Sequence, residues 1–336
     1  MDKQLTVIIP TYNMQEYLRR CLDSLIVRQS LRDSLEVLVI NDGSKDDSSR
    51  IAHEYEDRYK DTIRVIDKEN GHYGSCVNRG LAEAAGKYVK VLDADDWFDT
   101  GELEKLLEQL PSLDVDLILT SYRVVDSEGN IKFSVGQNVP AGDVFDFNSN
   151  PAPAVTSYAM YMVTWRTAFL HRINYVQTEG INYTDTEWRC SPLYEVGKCI
   201  YYPFSIYHYL LGRAGQSSED AVMNKNVWQF ESCVKSLVRN KSKYNVADYP
   251  LANSENERAI LMYSLNIYKI VLIRKKSTKD DLAHLKIFDD YLYEYCPEVW
   301  TAAGSHVAKK WLPIKYIAYW RRMGRVFPLH WMRRNR

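Results

Sequence analysis

The order of apolar runs in the first 92 residues limits the fold more than any other feature. "LTVII" (5–9), "LEVLVI" (35–40), "IRVID" (63–67) and "KYVKVL" (87–92) are short and rich in β-branched residues, and each is too brief for a helix. Helical spacings separate them. Leu18, Cys21, Leu22, Leu25 and Ile26 share one face of 16–29, and helices are expected again at 46–60 and at 75–86, the last closed by Gly86. Such alternation predicts an α/β fold with a mostly parallel sheet and helices on both faces. Ligands of these sheets bind beyond the carboxyl ends of the strands, near a reversal of strand order. Residues 10–13, 41–44, 67–74 and 93–96 hold that position, and all four stretches are polar.

Past residue 100 the pattern changes. A helix is expected at 101–109, with Asp99 or Thr100 as its cap. "DVDLILTSYRVVDSEGNIKFSVG" (114–136) reads as a strand, a turn at Asp126–Asn130 and a return strand, so the sheet becomes mixed. The Pro, Asn, Gly and Ser content of 137–157 predicts a loop. Periodic apolar faces at 226–238, 255–273 and 280–295 predict a helical C-terminal region, giving domains at 1–220 and 221–336.

From Val299 onward there are nine Lys or Arg and no Asp or Glu, leaving residues 1–298 with a net charge of −10. "HVAKKWLPIKYIAYWRRMGRVFPLHWMRRNR" (306–336) mixes Trp311, Trp320 and Trp331 with these cations, the composition that anionic membrane surfaces favour. A docked helix or a homo-oligomer contact is the other use of such a tail. Scattered cations without a basic face on the sheet domain predict no nucleic-acid partner. Six scattered cysteines without C-x-x-C spacing read as reduced thiols. The chain enters an apolar strand within four residues of its start, which leaves no room for a signal peptide, and no window approaches the roughly 20 apolar residues of a membrane span. A cytoplasmic protein, peripheral at the inner face of the membrane, is expected.

"GKYVKVLDADDWFD" (86–99) ends a buried strand, interrupted only by Lys90, in Asp93, Asp95, Asp96 and Asp99. Carboxylates so close repel one another. On an extended backbone Asp93 and Asp95 face one side and Asp96 the other. Hard oxygen ligands at this spacing suit Mg²⁺ or Mn²⁺, ions that complete their shell with water and phosphate.

"VIIPTYN" (7–13), "VLVINDGSKDDS" (37–48), "NGHYGSCVNRGLAEAAGKYVKVLDADDW" (70–97) and "YTDTEW" (183–188), in this order, resemble the family 2 glycosyltransferases, inverting enzymes of the GT-A fold that use nucleotide-diphosphate sugars. The resemblance covers the first 220 residues or so and implies a Rossmann-like mixed sheet followed by a helical extension. It places Pro10, Thr11 and Tyr12 at the nucleobase, Asp42 on uracil N3 and Asn70 on the base or ribose. Asp93, Ala94 and Asp95 become the family's D-x-D stretch, with Asp95 the better metal ligand and Asp93 nearer the ribose or the metal's water shell. The family's A-R-N-x-G appears here as "CVNRG", with Val77 where arginine is usual, and Arg79 is no substitute. Asp185 aligns best with the family's catalytic base, Glu187 is the alternate, and a helix cap is the competing use of Asp185. "YHYLLGRAGQSS" (207–218) resembles a lid in which Arg213 and Ser217 close over the pyrophosphate. His208 is a further candidate metal ligand, or else a partly buried histidine between two tyrosines.

No Q-x-x-R-W motif of processive synthases occurs, so the resemblance implies transfer of a single sugar from a UDP-sugar to a carbohydrate or lipid-linked acceptor, in cell-surface polysaccharide assembly. A sugar-phosphate nucleotidyltransferase and an inactive GT-A assembly partner are the rival readings.

Overall fold

The computed structural model describes residues 2–149, 155, 158–213, 215–308 and 313–327. It opens on β1 (Leu5–Thr11) and α1 (Leu18–Asp23). The single helix expected over 16–29 is broken at Ser24, and a separate short α2 (Gln29–Arg32) follows. Ser24 Oγ donates to the Cys21 carbonyl at 2.6 Å and accepts from the Phe98 amide at 3.0 Å. A serine that bonds its own backbone competes with helix propagation, and here it also anchors the turn after the acidic stretch.

Next come β2 (Leu35–Asn41), α3 (Ser48–Arg58), β3 (Ile63–Asp67), α4 (His72–Glu83) and β4 (Tyr88–Val91). All pairings among these four strands are parallel. Nearly every side chain of β1, β2 and β4 is buried, as a sheet covered on both faces requires. After β5 (Trp97–Phe98) comes α5 (Thr100–Gln109), capped by Asp99, whose carboxylate accepts from the Glu102 amide. Leu5, Val7, Ile9, Val37 and Val39 pack with α1, α3 and α5 on one face, while α4 lies over Ile8 on the other.

Gly86 does not close α4, which ends at Glu83. It lies instead where the chain crosses β1: a Cβ there would stand 2.4 Å from the Thr6 amide nitrogen. Lys90, the one charged residue of β4, is fully buried and donates to the carbonyls of Tyr161 and Val163 at 2.9 and 3.1 Å. Burial pulls its pKa down to about 7.

The expected hairpin appears as β6 (Leu117–Val125) and β7 (Ile131–Val135). The stretch read as a loop contains β8 (Val144–Asp146), while residues 150–154, 156 and 157 of it lie outside the described residues. Then follow β9 (Val163–Arg166), α6 (Thr167–Arg172), α7 (Asp185–Cys190) and the long β10 (Lys198–Leu210). The sheet runs β3-β2-β1-β4-β9-β6-β10-β5, with β7 on β6 and β8 on β10. β9 is antiparallel to both its neighbours, so the sheet is mixed beyond β4. Strand order reverses at β1, since β2 and β3 build to one side and β4 to the other.

One contact fixes the loop around Thr178 on α4. A Cβ on Gly74 would meet the Thr178 carbonyl oxygen at 1.9 Å. Alanine would ordinarily favour a helix interior by about 0.5–1 kcal/mol. Here the obstacle is backbone, so Gly74→Ala is expected to destabilise the protein by about 1–3 kcal/mol, read as a lower denaturant midpoint at unchanged slope. An unchanged or raised midpoint would mean that the loop is not held there.

The chain divides into two compact units, 1–213 with 248–252 and 214–247 with 253–336, against an expected boundary at 220. The second unit is helical: α8 (Asp220–Lys225), α9 (Gln229–Lys241), most of α10 (Pro250–Lys269), α11 (Lys279–Tyr295), α12 (Pro297–Ser305) and α13 (Tyr316–Met323). In α13, Tyr316, Ile317 and Trp320 are buried, and Arg321 pairs with Asp289 while stacking on Trp300. Trp320 is therefore a core residue, while Lys315, Arg322 and Arg325 are the exposed cations among the described residues of this stretch. Trp311 and Trp331 lie outside the described residues. All six cysteines are buried free thiols. No helix among the described residues is long and apolar enough to cross a membrane.

Candidate active site

The carboxyl ends of β1, β2 and β3 enclose a cleft of about 520 Å³ lined by Tyr12, Asn41, Gly43, Lys45, Asp67, Lys68, Glu69 and Asn70. Tyr12 offers its ring to solvent, being 46% exposed. Asp42 lies beneath, 3% exposed, and its Oδ1 accepts from Lys68 Nζ at 2.6 Å and from the Gly71 amide at 2.9 Å. Asn70 Nδ2 donates to the Asp42 carbonyl at 2.9 Å. Two of the residues expected at the nucleobase are elsewhere. Thr11 turns its hydroxyl back to the Ile9 carbonyl and is 1% exposed, and Pro10 stays within the β1–β2 ladder. Of Pro10, Thr11 and Tyr12, only Tyr12 lines the cleft.

The acidic stretch after β4 is a turn, closed by the Asp96 amide donating to the Asp93 carbonyl at 3.0 Å. Extended-strand alternation therefore does not apply, and Asp96 joins the others: one oxygen of each of Asp93, Asp95 and Asp96 lies within 4.8 Å of the rest. Ala94 points into the core. Asp96 is a structural anchor, because its two oxygens accept from the Tyr207 hydroxyl and the Leu210 amide, each at 2.7 Å. The Tyr207 hydroxyl in turn accepts from the Asp93 amide at 3.1 Å. Asp93 Oδ1 accepts from the Tyr73 hydroxyl at 2.8 Å. Burial, then the charge of Asp95, raises the pKa of both Asp93 and Asp96 above the usual carboxylate range. This is a surplus of negative charge on oxygen donors alone, a donor set that fits Mg²⁺ or Mn²⁺.

Asp185 is the first residue of α7, and Thr184 holds the cap position. The lead-in is strained, since Tyr183 has φ +67° and His72, whose Nδ1 is 3.4 Å from Asn182 Oδ1, has φ +64°. Non-glycine residues occupy that region at a cost of about 1–3 kcal/mol, and such strain clusters at functional sites. Asp185 is partly exposed and lies near enough to the acidic turn for its charge to help raise the pKa of Asp93 and Tyr73, after burial as the main cause. Glu187 is 1% exposed and accepts from the Thr178 amide and the Thr178 hydroxyl, each at 2.8 Å. It staples the loop.

Arg213 ion-pairs with Asp95. Ser217 belongs to the second unit and is exposed. His208 stands apart from the acidic cluster, against the edge of Trp97 and with Nε2 3.4 Å from Arg123 Nη1. Burial and the Arg123 charge lower its pKa. Val77 is buried, and Arg79 pairs with Glu83 on the surface. Sequence reasoning missed Lys68, Tyr73 and Tyr207. Of these only Lys68 carried a signal, as the cation between Asp67 and Glu69 at a strand end.

A sheet reversing at β1, a cleft across its strand ends and an acidic turn after β4 together define a GT-A fold. S. aureus TarS (residues 1–349) in complex with UDP-GlcNAc has this fold: the likeness covers 98% of this chain and 90% of that one, at TM-score 0.61 and 15% identity. The Pyrobaculum calidifontis mannosyltransferase PcManGT in complex with GDP-Man and Mn²⁺ follows, covering 90% and 84% at TM-score 0.51 and 16% identity. Residues 6–169 match the family model described as Glycosyl transferase family 2, so this stretch is a domain of that family. Glycosyltransferase GlyA of Streptococcus pneumoniae is 35% identical over 136 residues, 40% of this chain and 19% of that protein. The chain spans a fifth to a third of the length of GlyA and of the next such relative.

Proposed function

We propose that this chain is an inverting glycosyltransferase that moves one sugar from a UDP-sugar to a carbohydrate or lipid-linked acceptor. The observation that supports this reading is the clustering of Asp93, Asp95 and Asp96 after β4, near the charge of Asp185 and on the same sheet edge as a cleft of nucleotide size. Tyr12 would stack on the base, and Asp42, held by Lys68 and Gly71, would accept from it. Asp95 and Asp93 would hold Mn²⁺ or Mg²⁺, which when bound neutralises the diphosphate and stabilises it as a leaving group. Asp185 would take the proton of the acceptor hydroxyl as the new glycosidic bond forms. Glu187 is spent on Thr178, which favours Asp185 as the base. A role in surface polysaccharide assembly is consistent with the family. Membrane attachment through the tail would rest on its exposed cations, since Trp320 is occupied within the second unit.

Thermal shift with UDP-sugars, GDP-mannose and UTP, each with and without Mn²⁺, tests the reading. A ligand at 100 times its Kd stabilises by about 2.7 kcal/mol. One UDP-sugar is expected to raise Tm only when Mn²⁺ is present, and then to support transfer. Stabilisation by GDP-mannose alone would overturn the nucleotide assignment, and pyrophosphate release from UTP with a sugar phosphate would favour the nucleotidyltransferase.

A further inference from the structure

The acidic turn already has a cation. Arg213 Nε donates to Asp95 Oδ2, and the two side chains are only 14% and 11% exposed. The guanidinium also lies over the Tyr17 ring, 5.5 Å from its centroid. A second arginine is near but differently used: Arg20 donates to the Asp95 carbonyl at 3.3 Å and stacks 3.6 Å over Trp97, so it reaches the peptide rather than the carboxylate. Arg213 alone of the two thus sits on the carboxylate assigned to the metal.

An arginine keeps its charge at any working pH, so it leaves Asp95 only by exchanging one anion for another. A divalent ion placed on Asp95 beside it would face a fixed like charge in a poorly solvated site. A nucleoside diphosphate removes both obstacles, because it offers the guanidinium a bidentate anion and the metal two further oxygen ligands. We propose that Arg213 is a resident counter-cation that makes metal binding conditional on the nucleotide diphosphate. This inference rests on the metal-dependent UDP-sugar reading above and adds to it an order of events. Metal and nucleotide bind with positive coupling, and that coupling is mutual by thermodynamic necessity.

The test uses the full chain. Mn²⁺ binding without nucleotide is followed by the electron paramagnetic resonance signal of the free ion, and UDP binding at saturating Mn²⁺ by calorimetry, in the wild type, Arg213→Gln and Arg213→Lys. In Arg213→Gln, Mn²⁺ alone is expected to bind about tenfold tighter and UDP with Mn²⁺ about tenfold weaker, within the usual range of coupling. Arg213→Lys, which keeps the charge, is expected to restore weak binding of Mn²⁺ alone. Equal or weaker Mn²⁺ binding by Arg213→Gln overturns the proposal while leaving the metal-dependent reading in place. Wild-type UDP binding that is indifferent to Mn²⁺ overturns both. Should Arg213→Gln melt well below the wild type, Arg213→Met carries the same comparison.

Discussion

Asp185→Asn is expected to bind UDP and Mn²⁺ as the wild type does and to lose transfer by about 10² to 10⁴, the usual contribution of a positioned general base. That corresponds to about 3–5 kcal/mol of barrier. The structural cost of the change is much smaller. Asp185 occupies the first turn of α7 and Thr184 the cap, so the substitution removes a favourable charge at a helix N-terminus, worth about 0.3–1 kcal/mol. Catalysis and stability therefore separate in this variant. Glu187→Gln should behave in the opposite way, because its carboxylate holds the Thr178 amide and hydroxyl inside the fold. Its first effect is expected in the melting temperature. Near wild-type turnover by Asp185→Asn, with Glu187→Gln folded but inactive, would move the base to Glu187. Normal turnover by both would remove this segment from the chemistry.

Asp95→Asn is expected to abolish Mn²⁺-dependent UDP binding without unfolding the protein. At an effective dielectric near 20, unit charges 4 Å apart interact by about 4 kcal/mol, so loss of one ligand charge should weaken UDP at fixed Mn²⁺ about 100-fold or more. The apoprotein should tolerate the change, because the charge of Asp95 is, after burial, the largest cause of the raised pKa of Asp93 and Asp96. Its removal relieves that repulsion while costing the pair with Arg213. Calorimetric titration of UDP with and without Mn²⁺ checks the outcome. Unchanged affinity and unchanged Mn²⁺ dependence would show that the ion is held elsewhere.

The parts of this molecule legible in sequence are those governed by local periodicity. β3 begins and ends where its apolar run does, the Asp126–Asn130 turn joins two strands, and Asp99 caps α5. Long-range partners were not legible. Ser24 ends α1 for the sake of Phe98, Gly86 makes room for Thr6, and β9 enters the sheet beside β4 although it lies far along the chain. At the site, sequence located the polar strand ends but not the direction of each side chain. Thr11 turns away because its hydroxyl finds the Ile9 carbonyl, and Asp96 turns inward because the chain bends there. Lys68 and Tyr73 each steady an aspartate from another element, a relation that no short motif encodes.

The hold of Asp96 on Leu210 has a mechanical consequence. The Leu210 amide is tied to the floor of the acidic turn, and Arg213 follows three residues later. A chain spans at most about 3.3–3.6 Å per residue, so the Cα of Arg213 is leashed within about 10 Å of that anchor. On the proposal above, the guanidinium would trade one anion for another within that short tether from Asp95. A short tether of this kind would let the arm return to the same carboxylate after any ligand leaves.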